Sequence, residues 1–168
     1  MTFLRFVHLF AFVFWYGTLL YFTLVQAPLL FKSLPREIFG LVQSKLFPTY
    51  YLLSYICGTL LVITYHFLHP KGWTSADCVK MTALYLMLLF SLGQGFWIGP
   101  QVAKLRVERQ AAEEGKDQPR LEALSREFGK AHGISSLLNL LVIVAGTIYF
   151  FYLVRDLKPA SSILKDLF

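Results

Sequence analysis

The segment FGKAHGISSLLNLLVIVAGTIYFFYLV, residues 128–154, places His132, Ser135, Ser136 and Asn139 at the mouth of a run that is otherwise apolar. On a helix these four share one face, giving a polar stripe two turns deep. Their chemistry is hydrogen bonding. In lipid it serves either to join helices or to line a path for a ligand or ion. Gln26, Gln43, Lys45, Gln94 and Trp97 fall at the same end of their own segments. They complete the set of ligand-path or polar-cluster candidates.

Three imidazoles, His8, His66 and His69, fall at the opposite end. Neutral imidazole suits zinc, copper or haem iron, and the i,i+3 spacing of His66 and His69 can serve two ligands. Pro70 follows at once, and no cysteine or carboxylate spacing adds to them, so they are weak metal candidates. His8 and His132 cannot share a metal, being at opposite ends of a bundle about 30 Å thick. No nucleophile elbow or zincin pattern occurs, and the apolar segments hold no Asp or Glu for acid–base work. The reading is a non-enzyme that needs no cofactor.

These residues must be positioned by membrane helices. The chain has 168 residues, 56% hydrophobic and only 15% charged, with mean hydropathy +0.55. Four windows are long and apolar enough to span a bilayer: about Phe6–Leu30, Tyr50–Leu68, Val79–Gly99 and Gly133–Val154. Backbone amides in lipid must be satisfied within their own segment, so each window is expected to be a helix. The first is too long for a signal-peptide core and lacks a small-residue cleavage pattern, so it is read as a retained span. The net charge of +6 lies beside the spans, where it serves orientation and headgroup contact rather than nucleic acid. Cys57 lies mid-span and Cys78 at a span border. Their depths differ by well over about 10 Å, beyond disulfide reach, and both are expected to be free.

The connections carry further elements. In FKSLPREIFGLVQSKLFPTYY, Ile38, Leu41, Val42 and Leu46 repeat at helical spacing between Pro35 and Pro48. This predicts a short interfacial amphipathic helix, with Pro48 opening the next span. The link after the second span is short and turn-rich, with Trp73 at the interface. Residues 100–132 hold seven Lys or Arg and six Asp or Glu. The pairs Lys104/Glu108, Arg109/Glu113 and Glu122/Arg126 stand four apart, as helix-supporting ion pairs do. A break at residues 115–119, with Asp117 as cap and Pro119 in the first turn, predicts an extramembrane helical hairpin. Gly95 and Gly99 form a GxxxG match, read as packing within the bundle. Loops one and three carry most of the Lys and Arg, which predicts that both face the cytosol.

The string FGLVQSKLFPTYY, with LPRE before it, closely resembles the segment after the first span in the transmembrane protein 205 family. Val7-His8-Leu9, Trp97-Ile98-Gly99-Pro100 and the stretch from Phe128 to Leu140 align in order with the same family. The third connection is shorter than in the vertebrate protein. The resemblance implies a four-span protein of the plasma membrane or an endomembrane. It also implies an association with platinum-drug resistance through export or vesicle traffic. Together these features predict an all-α integral membrane four-helix bundle, one domain over residues 1–168, handling a small solute without catalysis. The bilayer is its partner, and a small solute and a second copy of the chain are further candidate partners. The alternative is a metal- or haem-binding membrane redox protein using His8, His66 and His69.

Overall fold

A computed structural model describes residues 1–70 and 74–156. It contains four long helices: α1 (Thr2–Ser33), α2 (Arg36–Leu68), α3 (Ser75–Glu114) and α4 (Gln118–Arg155). No strand occurs among the described residues. α1 packs on α2, α2 on α3 and α3 on α4, and α4 closes on α1. All four are long and apolar enough to cross a membrane, and the protein is an all-α, multi-pass membrane bundle. The face carrying Met1, Asp156 and the α2–α3 link is here the terminal face; the face carrying the other two turns is the loop face.

The helices run 32, 33, 40 and 38 residues. At about 1.5 Å per residue each exceeds the roughly 30 Å hydrocarbon core. The surplus of α3 and α4 forms the expected hairpin, packed through Leu105, Ala112, Leu124 and Ala131, with Val102, Leu121 and Phe128 against them. Asp117 caps α4 by accepting from the Arg120 amide at 3.2 Å, and Pro119 takes the first turn. Of the three expected ion pairs only Lys104–Glu108 forms, at 3.8 Å. Exposed i,i+4 pairs gain little against side-chain entropy, so the apolar seam carries the hairpin.

The short interfacial helix is not a separate element. Residues 36–46 are the first three turns of α2, which runs through Pro48 without a break. Two extended residues, Leu34 and Pro35, suffice to reverse the chain. Continuing the helix keeps every backbone group paired except the one Pro48 releases. Exposed Ile38 and Leu41 still give this stretch an apolar flank. The expectation for Trp73 falls outside the described residues.

Two wide π turns interrupt the regular pitch, Tyr21–Gln26 in α1 and Gln94–Ile98 in α3. Each is followed two residues later by a proline, Pro28 and Pro100. A proline ring clashes with the carbonyl four residues before it, and a widened turn moves that carbonyl aside. Burial between lipid-bathed helices brings no hydrophobic gain, so close packing must hold them. Gly58 admits the Trp15 ring: a β-carbon there would lie 3.2 Å from it. Gly95 and Gly99 both face α2, against Tyr51 and Tyr55. The GxxxG match therefore packs within the chain.

Candidate functional site

The polar side chains of the bundle gather in layers toward its two ends. On the terminal face the layer is ionic. Thr74 and Asp77 form a capping box at the start of α3: the Thr74 amide and hydroxyl donate to Asp77 Oδ2 at 3.0 and 2.7 Å. The Asp77 amide returns a bond to Thr74 Oγ1 at 3.2 Å. This fixes the carboxylate, whose Oδ1 then accepts from the Tyr65 hydroxyl of α2 at 2.7 Å and lies 2.9 Å from Lys80 Nζ. Lys80 is only 4% exposed, one turn after Asp77 on the same helix. Its ammonium also reaches Asp156 Oδ2, at the end of α4, at 2.5 Å. His69 stacks on Tyr65 with ring centroids 4.1 Å apart and brings Nε2 to 3.8 Å from Asp77 Oδ1. One lysine and two carboxylates thus tie α3 to α4, and Tyr65 ties both to α2.

Deeper in the bundle, His8 of α1 is buried between Thr64 of α2 and Tyr149 of α4. Thr64 Oγ1 donates to the Leu60 carbonyl at 2.6 Å, so its oxygen must accept from His8 Nδ1, at 2.6 Å. In the neutral imidazole His8 Nε2 then accepts from the Tyr149 hydroxyl, so both ring nitrogens are engaged. The two layers together bind all four helices.

The middle is sealed. Phe12, Trp15, Leu61, Leu84, Met87 and Val142 are fully buried there, midway by residue count between the polar layers. Two polar atoms nevertheless lie buried without a hydrogen-bond partner, Trp15 Nε1 and Ser91 Oγ. Buried donors are rarely left unpaired, and each such atom is a place where water or a ligand group can bind.

The loop-face layer draws on the candidates from sequence, but only some of them. Gln94 is buried and accepts from Ser135 Oγ at 3.4 Å, joining α3 to α4. Asn139 donates to Thr23 Oγ1 of α1 at 2.8 Å. Ser54, fully buried, bonds its own helix at the Tyr50 carbonyl. The stripe on α4 divides: Ser135 and Asn139 form the inner row, while His132 and Ser136 form an exposed row beside it. Ser136 bonds the His132 carbonyl, and the His132 ring stacks on Phe128. Residues three apart differ by about 60° around a helix of 3.6 residues per turn, enough to put one row outside. Gln26 and Gln43 are half-buried, Lys45 is exposed, and Trp97 is 72% exposed. The widened turn at Gln94–Ile98 separates inward Gln94 from outward Trp97.

The three imidazoles of the terminal face stay apart. His8 has both nitrogens occupied, exposed His66 approaches the Val62 carbonyl with Nδ1, and His69 lies beside Asp77. Among the described residues no three His, Cys, Asp or Glu side chains converge as a metal site. Cys57 is buried and Cys78 exposed, and both are free.

Residues 10–111, more than half of the chain, match a family model described as Domain of unknown function (DUF4149). The chain belongs to this DUF4149 family. It is also similar to Transmembrane protein 205 of Danio rerio, 23% identical over 178 residues, covering 92% of this chain and 94% of that protein. The likeness agrees with the four-span architecture and with the family resemblance of the loop-one string. No solved structure matches. The DUF4149 match covers His8's neighbours on α1, all of α2 and most of α3, so Thr64, Tyr65, Asp77 and Lys80 lie inside it. Asp156 and Tyr149, the α4 partners, lie beyond it.

Sequence reasoning passed over the ionic cluster. Its signals were Thr74-x-x-Asp77, a helix-start pattern, and Lys80 one turn into an apolar run. Asp156 is 76 residues from Lys80, and no local pattern joins them.

Proposed function

We propose that this DUF4149 protein handles a small solute within the membrane, without covalent catalysis, the bundle opening and closing about its apolar middle. The observation that carries the reading is the arrangement of polar layers at both ends around a sealed waist that still holds two orphaned polar atoms, Trp15 Nε1 and Ser91 Oγ. Intramembrane ionisable groups such as Lys80 are functional candidates by default, because their desolvation is costly. The resemblance suggests a solute class, platinum drugs, and a setting in the plasma membrane or an endomembrane. Export, vesicle traffic and scaffolding of either are the forms this handling would take.

The test is platinum accumulation in cells expressing the wild-type chain, Ser91→Ala or Asn139→Leu, with expression and thermal midpoint in detergent measured alongside. Asn139→Leu removes the Thr23 bond, and intramembrane hydrogen bonds average only about 0.6 kcal/mol. Both variants should therefore fold and insert, yet lose the wild-type change in accumulation. Variants that handle platinum normally would assign these groups to helix packing alone. A wild type with no effect on platinum would remove the solute class. A Soret band or stoichiometric metal in the purified protein would favour the redox alternative built on His8, His66 and His69.

A further inference from the structure

Two guanidinium groups on the loop face have no acid to answer them. Arg106 and Arg109 are three residues apart on α3, on one face of the helix. Arg106 lies against α2: a β-carbon on Gly40 would be 3.3 Å from both its Cδ and one terminal nitrogen. Arg109 lies over α4, its guanidinium 4.9 Å from the centre of the Phe128 ring. Packing therefore fixes both stems. The Nε of each is buried and has no hydrogen-bond partner.

The hairpin offers Glu108, Glu113, Glu114, Glu122 and Glu127, yet among the described residues neither arginine makes an ion pair. The one ion pair in the hairpin, Lys104–Glu108, spends its acid on a different cation. Glu37, a turn before Gly40 on α2, is not paired with Arg106 either. Lys32 and Arg36 add positive charge at the same end of the bundle.

The depth of the pair indicates what answers it. Leu29, Phe31, Ile38 and Leu41, on the α1–α2 turn that flanks Gly40, are exposed apolar side chains, so lipid reaches this level. Arginine forks match phosphate oxygens, and basic groups just past a span attract anionic lipid.

We propose that Arg106 and Arg109 together bind the phosphate of an anionic phospholipid headgroup in the loop-face leaflet. The site is independent of the solute reading above. The test uses the full chain in a neutral detergent. Its thermal midpoint is followed on adding phosphatidylglycerol, phosphatidylcholine or inorganic phosphate, and retained lipid is counted by native mass spectrometry. Phosphatidylglycerol should raise the midpoint of the wild type and of the control Lys104→Gln/Arg120→Gln. In Arg106→Gln/Arg109→Gln the shift should fall at least about threefold, with loss of the retained lipid. Should that variant fail to fold, Arg106→Lys/Arg109→Lys keeps the charge without the fork and should at least halve the shift, by about twofold or more. Equal shifts from the two lipids, an undiminished shift in the arginine variants, or an equal shift from inorganic phosphate would each overturn the lipid site. So would capture of an acidic protein partner by the wild type in place of lipid.

Discussion

Replacing Lys80 with Met removes the cation from between two carboxylates while keeping the length of the side chain. Breaking a fully buried pair costs about 3–5 kcal/mol, because the remaining charge is stranded. Here the stranding is partial. Asp77 keeps the Tyr65 hydroxyl and both Thr74 donors, and the side chain of Asp156 is 49% exposed and can recover water. The expected loss is therefore about 2–3 kcal/mol, below the fully buried figure. For a domain of this size that corresponds to a midpoint lowered by about 4–12 °C. Asp156→Asn, which leaves Lys80 paired with Asp77, should cost only about 1 kcal/mol. The triple variant Asp77→Asn/Lys80→Met/Asp156→Asn strands no charge and should regain much of what Lys80→Met loses. The assay is tryptophan fluorescence on heating in detergent, with all variants in one buffer. Equal midpoints for Lys80→Met and Asp156→Asn would refute the reasoning, as would a triple variant no better than Lys80→Met. Either result would mean that the cluster is held by packing rather than by charge pairing.

Gly95→Ala should destabilise by about 1–3 kcal/mol, since its β-carbon collides with the Tyr55 hydroxyl and the Tyr51 ring; Tyr55→Phe in the same chain should restore part of the loss in the same melt. Gly17→Ala, with nothing near its β-carbon, should instead stabilise by about 0.5–1 kcal/mol through helix propensity. Of glycosylation acceptors placed singly at the N-terminus and at Lys116, only one should be modified, because glycosylation acts from one side of the membrane, and modification of both would break the four-span topology.

The architecture was legible because its signals are local and continuous. About twenty apolar residues in a row leave little choice but a helix, and Asp117 with Pro119 marks a helix start within three residues. What stayed hidden depends on how helices are phased. His132 and Ser136 differ from Ser135 and Asn139 by a fraction of a turn, and only contacts between helices decide which row turns inward. The same holds for Gln94 and Trp97, which a regular pitch would have set about 60° apart and the widened turn sets farther round the helix. Pro48 read as a helix start because proline usually is one, but the helix before it continues into the bilayer. The ionic cluster draws on the ends of three helices, and composition counted its acids as loop residues.

The unbroken passage of α3 from the bilayer into the hairpin has a mechanical consequence. Sixteen residues, Gly99–Glu114, follow the widened turn at Gln94–Ile98 as one rod, an arm of about 24 Å at about 1.5 Å per residue. α4 lies alongside it without a joint from Gln118 to Arg155. A pivot of about 10° at the widened turn would swing the Lys116 tip through about 4 Å, given the helical rise. Because α4 has no joint at that level and packs along the hairpin, such a pivot would carry the whole of α4 with it. Tilt in the membrane and movement of the hairpin are then mechanically one event.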